Sequence, residues 1–313
     1  MIILTGGAGF IGSNILAALT AQGISDVLVV DSLGTGEKWK NILGSSFLDI
    51  VSKHTFRGQL SNNWGKVETV IHMGACSATT EADADYLYDN NYRYSVDVAR
   101  FAFDRGARFI YASSAATYGK GELGFNDETR NLRPLNMYGY SKHLFDEWIR
   151  DQGLEGSCVG LKFFNVYGMN EAHKGNQASM ILKAFGQIRN TGRVQLFKSN
   201  SPEYPDGGQI RDFVYVKDCV SVVLNCLANP KVNGIVNLGT GLGRTWNHLA
   251  HAVFDAMNME PMITYIDIPE ELSSQYQNYT QADVTKLMTL LPDFRFHTLE
   301  EGVTDYVRGY LKT

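Results

Sequence analysis

The sequence predicts an α/β protein in which a doubly wound parallel sheet carries a smaller, interleaved α/β lobe. A glycine-rich turn joins the first predicted strand to the first helix, and short apolar strands then alternate with helical segments through the first half of the chain. Beyond about residue 165 this alternation becomes irregular. Connections between parallel strands are right-handed, so helices on both faces of the sheet are the default arrangement.

The glycine-rich turn lies between a strand predicted over residues 1–5 and a helix predicted over 13–22. Its spacing, G-x-x-G-x-x-G, is a variant of the dinucleotide fingerprint. The glycines permit a tight turn, close approach of the backbone to a pyrophosphate and close packing of helix on strand. The residues of this turn predicted to contact a dinucleotide are Gly6, Gly9, Phe10, Ile11 and Gly12.

A second strand, predicted over 27–30, ends in Asp31, at the distance from the glycines where a ribose-binding acid is expected. A carboxylate accepts hydrogen bonds from a ribose 2′-hydroxyl and repels a 2′-phosphate, so its charge alone favours NAD over NADP. Together the two strands, the turn and the acid predict a dinucleotide-binding Rossmann domain.

Later strands are predicted over 67–73, 108–113 and 158–163, with helices near 83–105 and 138–152. Ligands of doubly wound sheets bind at the carboxyl ends of the strands. Polar loops follow there at residues 74–81, 113–119 and 165–168.

The second half of the chain predicts a helix near 177–190 and strands at 211–216 and 235–238. We assign residues 1–165 plus about 211–238 to the dinucleotide-binding domain. The remaining parts, about 166–210 plus 239–313, are assigned to a substrate-binding lobe, with late returns to the main domain.

Tyr138 and Lys142 lie four residues apart on a predicted helix and therefore share one of its faces. A nearby ammonium favours the phenolate and lowers the pKa of a tyrosine, which makes the pair a candidate acid/base unit for hydride transfer. Such pairs are also common as packing or solvated residues on amphipathic helices. The glycine turn and the neighbouring motifs favour the catalytic interpretation.

Composition limits the class of partner. The 313 residues are 44% hydrophobic, enough for one large domain or two coupled ones. A net charge of −5 without a basic run argues against a nucleic-acid surface. No apolar stretch approaches the ~18 residues of a membrane span, and the first strand leaves no room for a signal peptide. We expect a cytoplasmic protein whose partners are small molecules and its own copies.

Metal binding is not expected from this sequence. The four cysteines are scattered and are predicted to be buried thiols. His248 and His251 are three residues apart, but no carboxylate or cysteine cluster accompanies them.

Several motifs together resemble the extended short-chain dehydrogenase/reductase family that modifies nucleotide sugars. They are TGGAGFIG at 5–12, YASS at 111–114, Tyr138 with Lys142, and RDFVYV at 211–216. More narrowly, residues 74–77, 165–175 and 279–283 resemble the epimerases of this family that act on an ADP-linked heptose. The run 173–175 is the most specific, because ordinary nucleotide-sugar epimerases carry no lysine there.

The resemblance implies a reaction at carbon 6 of the heptose. The carbon–hydrogen bond of a secondary alcohol is too weakly acidic for inversion by proton removal alone, whereas transient hydride transfer permits inversion. In this reading Tyr138 takes the hydroxyl proton in one direction and Lys174 serves the other orientation. Ser114 bonds the reacting oxygen, and Lys142 holds the nicotinamide ribose. The plain alternatives are a turn serine at 114 and a surface charge at 174.

For the cofactor the resemblance implies NADP, with Lys38 and Ser32 beside the 2′-phosphate, although NAD remains possible. The further cofactor contacts that it implies are Lys53, Gly74, Ala75, Cys76, Ser77, Asn90, Tyr138 and Lys142.

For the substrate the resemblance implies an adenosine end near residues 197–200 and a diphosphate held by Arg211, whose guanidinium can bind two oxygens at once. An ion pair with Asp212 is the alternative. Asn176, Lys183 and the long loop at 201–209 depart from the family pattern. The predicted substrate contacts are Ser114, Asn165, Val166, Asn176, Lys183, Phe197, Asn200, Arg211 and Tyr276. The family also implies a homo-oligomer, with a pentamer as its form.

The sequence argues against three other functions. A nucleotide-sugar dehydratase carries an acid directly after the serine, where Ala115 and Ala116 stand here. A reductase of the GDP-fucose synthase kind needs both a cysteine and a histidine near the ketone. His173 alone is weak support for that function. A redox sensor that binds a dinucleotide without turnover has no need of Tyr138, Lys142, Ser114 and Lys174 together.

Overall fold

The computed structural model describes residues 1–270 and 276–312 and contains twelve strands in this part of the chain. They are β1 (Ile2–Thr5), β2 (Val27–Val30), β3 (Asp49–Val51), β4 (Thr69–His72), β5 (Arg108–Ser114), β6 (Cys158–Phe163), β7 (Asn165–Tyr167), β8 (Val194–Phe197), β9 (Ile210–Tyr215), β10 (Gly234–Leu238), β11 (Gly243–Thr245) and β12 (Ile263–Ile266). Seven of them form one parallel sheet in the order β10-β6-β5-β4-β1-β2-β3.

Helices lie on both faces of this sheet and in the smaller lobe beside it. They are α1 (Phe10–Ala21), α2 (Lys53–Gly58), α3 (Ala84–Leu87), α4 (Tyr94–Asp104), α5 (Met137–Asp151), α6 (Met180–Thr191), α7 (Val216–Ala228), α8 (Trp246–Met257), α9 (Thr285–Leu290) and α10 (Leu299–Tyr306). Leu4 of β1 packs with Leu16 and Val223 of α1 and α7, whereas its neighbour Ile3 packs with Val98 and Phe145 of α4 and α5. Successive strand residues point to opposite faces, so two cores result. The predicted doubly wound sheet is confirmed.

The strands at the centre are apolar because both of their faces are covered. All four residues of β1 and of β2 are buried. The edge strand β3 is only three residues long, begins at the exposed Asp49 and is half-buried elsewhere. Its short, partly polar pattern explains why the sequence analysis did not predict it.

Strands outside the main sheet build the smaller lobe. β9 pairs in parallel with β7 and antiparallel with β11, and β8 pairs in parallel with β12. Helices α6, α8 and α10 share a separate core with them. Of the two late strands that the sequence predicts, β10 returns to the main sheet and β9 does not. The proposed residue division between the lobes stays a prediction.

No helix among the described residues is long and apolar enough to cross a membrane. Residues 1–270 and 276–312 contain no group of three or more histidine, cysteine or acidic side chains placed to hold a metal.

Candidate active site

A cavity of about 1040 Å³ opens at the carboxyl ends of the central strands and is also lined by residues of α6 and β8 and by Trp246. All four predicted catalytic residues line it, together with most of the predicted cofactor and substrate contacts. These lining residues are Gly6, Gly9, Phe10, Ile11, Gly12, Asp31, Lys38, Gly74, Ala75, Ser77, Ser114, Tyr138, Lys142, Asn165, Val166, Lys174, Asn176, Lys183, Phe197 and Tyr276. The roles assigned to them stay predictions.

The glycine turn leaves no room for side chains where helix α1 meets strand β1. A Cβ at Gly12 would lie 2.1 Å from the carbonyl oxygen of Gly6, and Gly6 has a φ of 70°. Gly9, the N-cap of α1, has no side chain to accept the first N–H groups, and the first turn of α1 contains no acid. The exposed N–H groups at this helix end suit an anion such as a pyrophosphate, so the turn fits a dinucleotide.

Asp31 lies beside the glycine turn, and its carboxylate takes part in several hydrogen bonds and an ion pair. Its carboxylate accepts hydrogen bonds from the backbone N–H groups of Ala8 at 2.9 Å and Ser32 at 2.7 Å. Lys38 pairs with it at 2.5 Å and also donates to the carbonyl of Ser32 at 3.1 Å. The lysine therefore balances the acid beside the cavity.

The loop after β4 is held from behind by Asn91. Its side chain accepts from the Cys76 N–H at 2.8 Å and donates to the Cys76 carbonyl at 2.9 Å. Asn90, in the same π-helical turn, accepts from Lys53 at 2.7 Å. Cys76, Asn90, Lys53 and Ser32 do not line the cavity, although they support segments that do. The prediction that all four cysteines are buried is wrong for Cys76, which is half-buried.

Tyr138 meets Ser114 across the cavity wall. Helix α5 begins beside this point because the side chain of Asn136 caps it, accepting from the Gly139 N–H at 2.9 Å. Burial raises the pKa of Tyr138, and a hydrogen bond with Ser114 opposes the increase. The Ser114 hydroxyl also accepts from the Ala116 N–H at 3.1 Å.

Lys142 lies one helical turn after Tyr138, but its ammonium donates to the carbonyl of Ala112 at 2.8 Å. Burial lowers the pKa of Lys142 to about 8. The effect of Lys142 on the pKa of Tyr138 stays a prediction; in this structure burial is the largest influence at the tyrosine, and the ammonium is directed to the strand.

Lys174 reaches the cavity from the helical turn Ala172–Gln177. Its ammonium lies 5.5 Å from the centre of the Phe10 ring, next to the glycine turn. Burial lowers the pKa of Lys174, and the nearby Glu171 carboxylate opposes this. Lys174 is therefore a half-buried cation with a weakened hold on its proton, and is not an exposed surface charge.

Buried and partly buried hydrogen bonds fix the segment that carries Lys174. The side chain of Glu171 accepts from the Gly168 N–H at 3.2 Å and the Ser179 hydroxyl at 2.7 Å. Asn41 donates to the carbonyl of Ala8 at 3.0 Å and to that of Asn170 at 3.3 Å. The segment is thus tied to the glycine turn.

Arg211 lies behind the cavity wall and does not line it. Its guanidinium donates to the carbonyl of Ile210 at 2.8 Å and to that of Gln277, and lies 5.5 Å and 5.2 Å from the rings of Trp246 and Tyr276. Arg211 is therefore held by carbonyl groups and aromatic rings. The alternative expected from the sequence, an ion pair with the neighbouring Asp212, is not formed.

The Asp212 carboxylate accepts instead from the N–H groups of Thr240 at 2.7 Å and Gly241 at 2.9 Å. Among the other predicted substrate contacts, Lys183 donates to the carbonyl of Asn176 at 2.6 Å. The rings of Phe197 and Tyr276 meet edge-on at 6.3 Å. Asn200 lies outside the cavity lining.

Several lining residues were missed from the sequence. Thr79 and Thr80 belong to the loop 74–81, already predicted to face a ligand, so their position was a usable signal. His173 carried a signal through its neighbour Lys174. No pattern in the sequence indicated that Trp246 lines the cavity, because only the pairing of β11 with β9 brings this residue there.

The doubly wound sheet, the glycine turn and the tyrosine–serine pair define a family. The chain belongs to the NAD dependent epimerase/dehydratase family, whose sequence model matches residues 2–239. Its place among the epimerases of that family is confirmed by named relatives.

An ADP-L-glycero-D-manno-heptose-6-epimerase of Nitratidesulfovibrio vulgaris is 54% identical over 317 residues, covering 99% of this chain and 98% of the relative. One of Fusobacterium nucleatum is 45% identical over 325 residues, with the same coverage. The crystal structure of the Helicobacter pylori ADP-L-glycero-D-manno-heptose-6-epimerase superposes with a TM-score of 0.83 at 28% identity, covering 98% of this chain and 95% of that one.

Proposed function

We propose that this protein interconverts ADP-D-glycero-D-manno-heptose and ADP-L-glycero-D-manno-heptose at carbon 6, and so supplies the heptose of the lipopolysaccharide inner core. The observation that carries the proposal is a half-buried lysine, Lys174, in the same cavity as Tyr138 and Ser114. When the ketone turns over against a fixed nicotinamide, its oxygen moves away from the first acid/base group, and a second group can then serve the other orientation. The names of relatives at 45–54% identity support the same substrate.

The residues of the glycine turn fit a nicotinamide dinucleotide, with Gly6, Gly9 and Gly12 at its diphosphate and Lys142 near its ribose. Bound there, the cofactor would supply reversible hydride transfer, which allows a hydride taken from carbon 6 to return to the opposite face. Tyr138 accepts the hydroxyl proton of one epimer while Ser114 donates a hydrogen bond to the reacting oxygen. Lys174 performs the same proton transfer when the oxygen lies on the other side.

Carbon 6 lies outside the sugar ring, so rotation about one exocyclic bond moves the oxygen from one acid/base group to the other. The diphosphate stays in place during this rotation. Arg211 supports that end of the site by holding the rings of Trp246 and Tyr276, both of which line the cavity.

The cofactor that we propose is NADP. Asp31 is engaged by two backbone N–H groups and by Lys38, so the repulsion that its carboxylate would exert on a 2′-phosphate is offset by a cation at 2.5 Å. The Lys38 ammonium also lines the cavity.

Denaturing the purified protein should release NADP, and Lys38→Ala should weaken NADP binding more than NAD binding, because only NADP carries the 2′-phosphate. Chromatographic identification of the released nucleotide and titration of both nucleotides measure this. Release of NAD alone would overturn the proposal, and equal weakening of both would remove the role of Lys38.

Epimerisation should proceed in protein that carries its full complement of cofactor without any added nucleotide, because the hydride returns to the same substrate. A panel of ADP-, GDP- and UDP-linked sugars, with product configuration followed by NMR, should show turnover of the ADP-heptose. A continuous requirement for an oxidant or reductant would identify a dehydrogenase or reductase instead. Failure to reduce the bound cofactor even transiently would favour a redox sensor.

We further propose that the protein acts in the cytoplasm as a homo-oligomer, with a pentamer as its form. Sedimentation of the purified protein tests the assembly.

A further inference from the structure

A fully buried ion pair lies directly beneath the catalytic residues and has no part in the function proposed above. The ammonium of Lys162, on β6, contacts the carboxylate of Asp146, on α5, at 2.6 Å, and neither side chain is exposed to solvent. Removing two charges from water is costly, and a buried pair is often no more stabilising than apolar residues of the same volume. The pair therefore needs an explanation beyond stability.

Asp146 joins helix α5 to the end of strand β5. Its carboxylate accepts from the Tyr111 hydroxyl at 3.0 Å and the Ser113 hydroxyl at 2.7 Å. One turn earlier on the same helix, Lys142 donates to Ala112, and one turn before that Tyr138 meets Ser114. These four contacts set the register of α5 against β5.

Lys162 holds Ser114 from the other side. It donates to the Thr117 hydroxyl at 2.9 Å, and Thr117 in turn donates to the Ser114 carbonyl at 2.9 Å. The pair thus restrains Ser113 through Asp146 and Ser114 through Thr117.

We propose that Asp146 and Lys162 are positioning residues for the epimerisation, holding Ser114 and the protonated Lys142 in place against Tyr138. The proposal rests on the proposed function. It concerns residues that neither contact the cavity nor belong to the sequence motifs.

Charge supports the same assignment. Burial lowers the pKa of Lys142 to about 8, and the Asp146 carboxylate opposes this decrease, as does Cys76 on the loop after β4. His72, on β4, also faces this lysine, but burial lowers the pKa of His72 to about 3, so it is neutral near neutral pH. Loss of the Asp146 charge should lower the pKa of Lys142 further.

The test uses the double variant Asp146→Asn with Lys162→Met, because removing one partner alone leaves a buried charge unpaired. With the protein folded and its cofactor retained, kcat should fall about 10- to 100-fold, the scale of small misplacements at a catalytic site, with KM little changed. The alkaline limb of the kcat–pH profile should move to lower pH. Lys162→Arg, which keeps the charge, should retain most of the activity.

Lys142 provides a readout that does not depend on turnover. NMR of protein with ¹³C-labelled lysine, with the Lys142 signal identified by its loss in Lys142→Ala, should show a lower Lys142 pKa in the double variant than in the wild type. If wild-type protein does not epimerise ADP-heptose, the proposed function fails, and this titration still decides the inference.

An unchanged kcat and an unchanged Lys142 titration in the folded double variant would overturn the proposal. Should that variant not fold, Ser113→Ala with Thr117→Val removes the three hydrogen bonds by which the pair restrains Ser113 and Ser114. A lower kcat then supports the proposal and an unchanged one overturns it.

The matched control is the double variant Glu128→Gln with Lys286→Met. These two residues form a partly exposed ion pair, with 3.0 Å between ammonium and carboxylate, and do not line the cavity. The control should leave kcat unchanged.

Discussion

Tyr138→Phe should lower epimerisation by about 10²–10⁴-fold, the usual range for loss of a general acid/base group. Phenylalanine keeps the ring that packs at the cavity wall and removes the hydroxyl that bonds Ser114. Cofactor binding should stay near the wild-type level, since the glycine turn is untouched. Initial rates from each epimer, together with the amount of nucleotide released on denaturation, measure both quantities.

Tyr140→Phe is the matched control, because Tyr140 lies two residues further along the same helix and is 46% exposed. It should epimerise at the wild-type rate. Wild-type activity in Tyr138→Phe would show that another group moves the proton and would remove the tyrosine from the mechanism.

Lys174→Met should lower epimerisation by a similar factor, about 10²–10⁴-fold. Methionine preserves much of the apolar stem against Phe10 and removes the ammonium. Because burial lowers the pKa of Lys174, its neutral form is more accessible near neutral pH than that of an exposed lysine, which suits a proton acceptor. The measurement is the rate of interconversion with the cofactor content determined on the same sample.

Each half of the reaction can be followed separately with an analogue that carries an aldehyde at carbon 6, since one molecule is oxidised while another is reduced. Loss of one acid/base group should slow one half more than the other. Lys66→Met, at a lysine whose side chain is 86% exposed, is the control. A wild-type rate in Lys174→Met would mean that Lys174 is only a structural cation and that the reaction does not use two bases.

Local patterns were sufficient to predict the central sheet and the glycine turn. Buried strands such as β1 and β2 are continuous apolar runs, and the turn between strand and helix needs glycine for steric reasons that hold in any context. Tyr138 and Lys142 were placed on one helical face by spacing alone.

Contacts between distant segments could not be predicted in the same way. Lys142 binds the carbonyl of Ala112, and this bond exists only because α5 packs on β5 in one register. Lys162, on strand β6, forms an ion pair with Asp146, on helix α5, and no periodicity in the sequence indicates that these two residues are in contact. The pairing of β9 with β7 and β11 is likewise a choice among several possible partners.

The hydrogen bonds that tie the Lys174 segment to the glycine turn bear on how the substrate moves. Asn41 bridges Ala8 and Asn170, Asn14 donates to the carbonyl of Met169 at 3.0 Å, and Asn170 donates to the hydroxyl of Ser13 at 3.1 Å. Separating the Lys174 segment from the glycine turn would break all of these hydrogen bonds at once. A bound substrate therefore moves between a glycine turn and a lysine whose separation these hydrogen bonds hold constant.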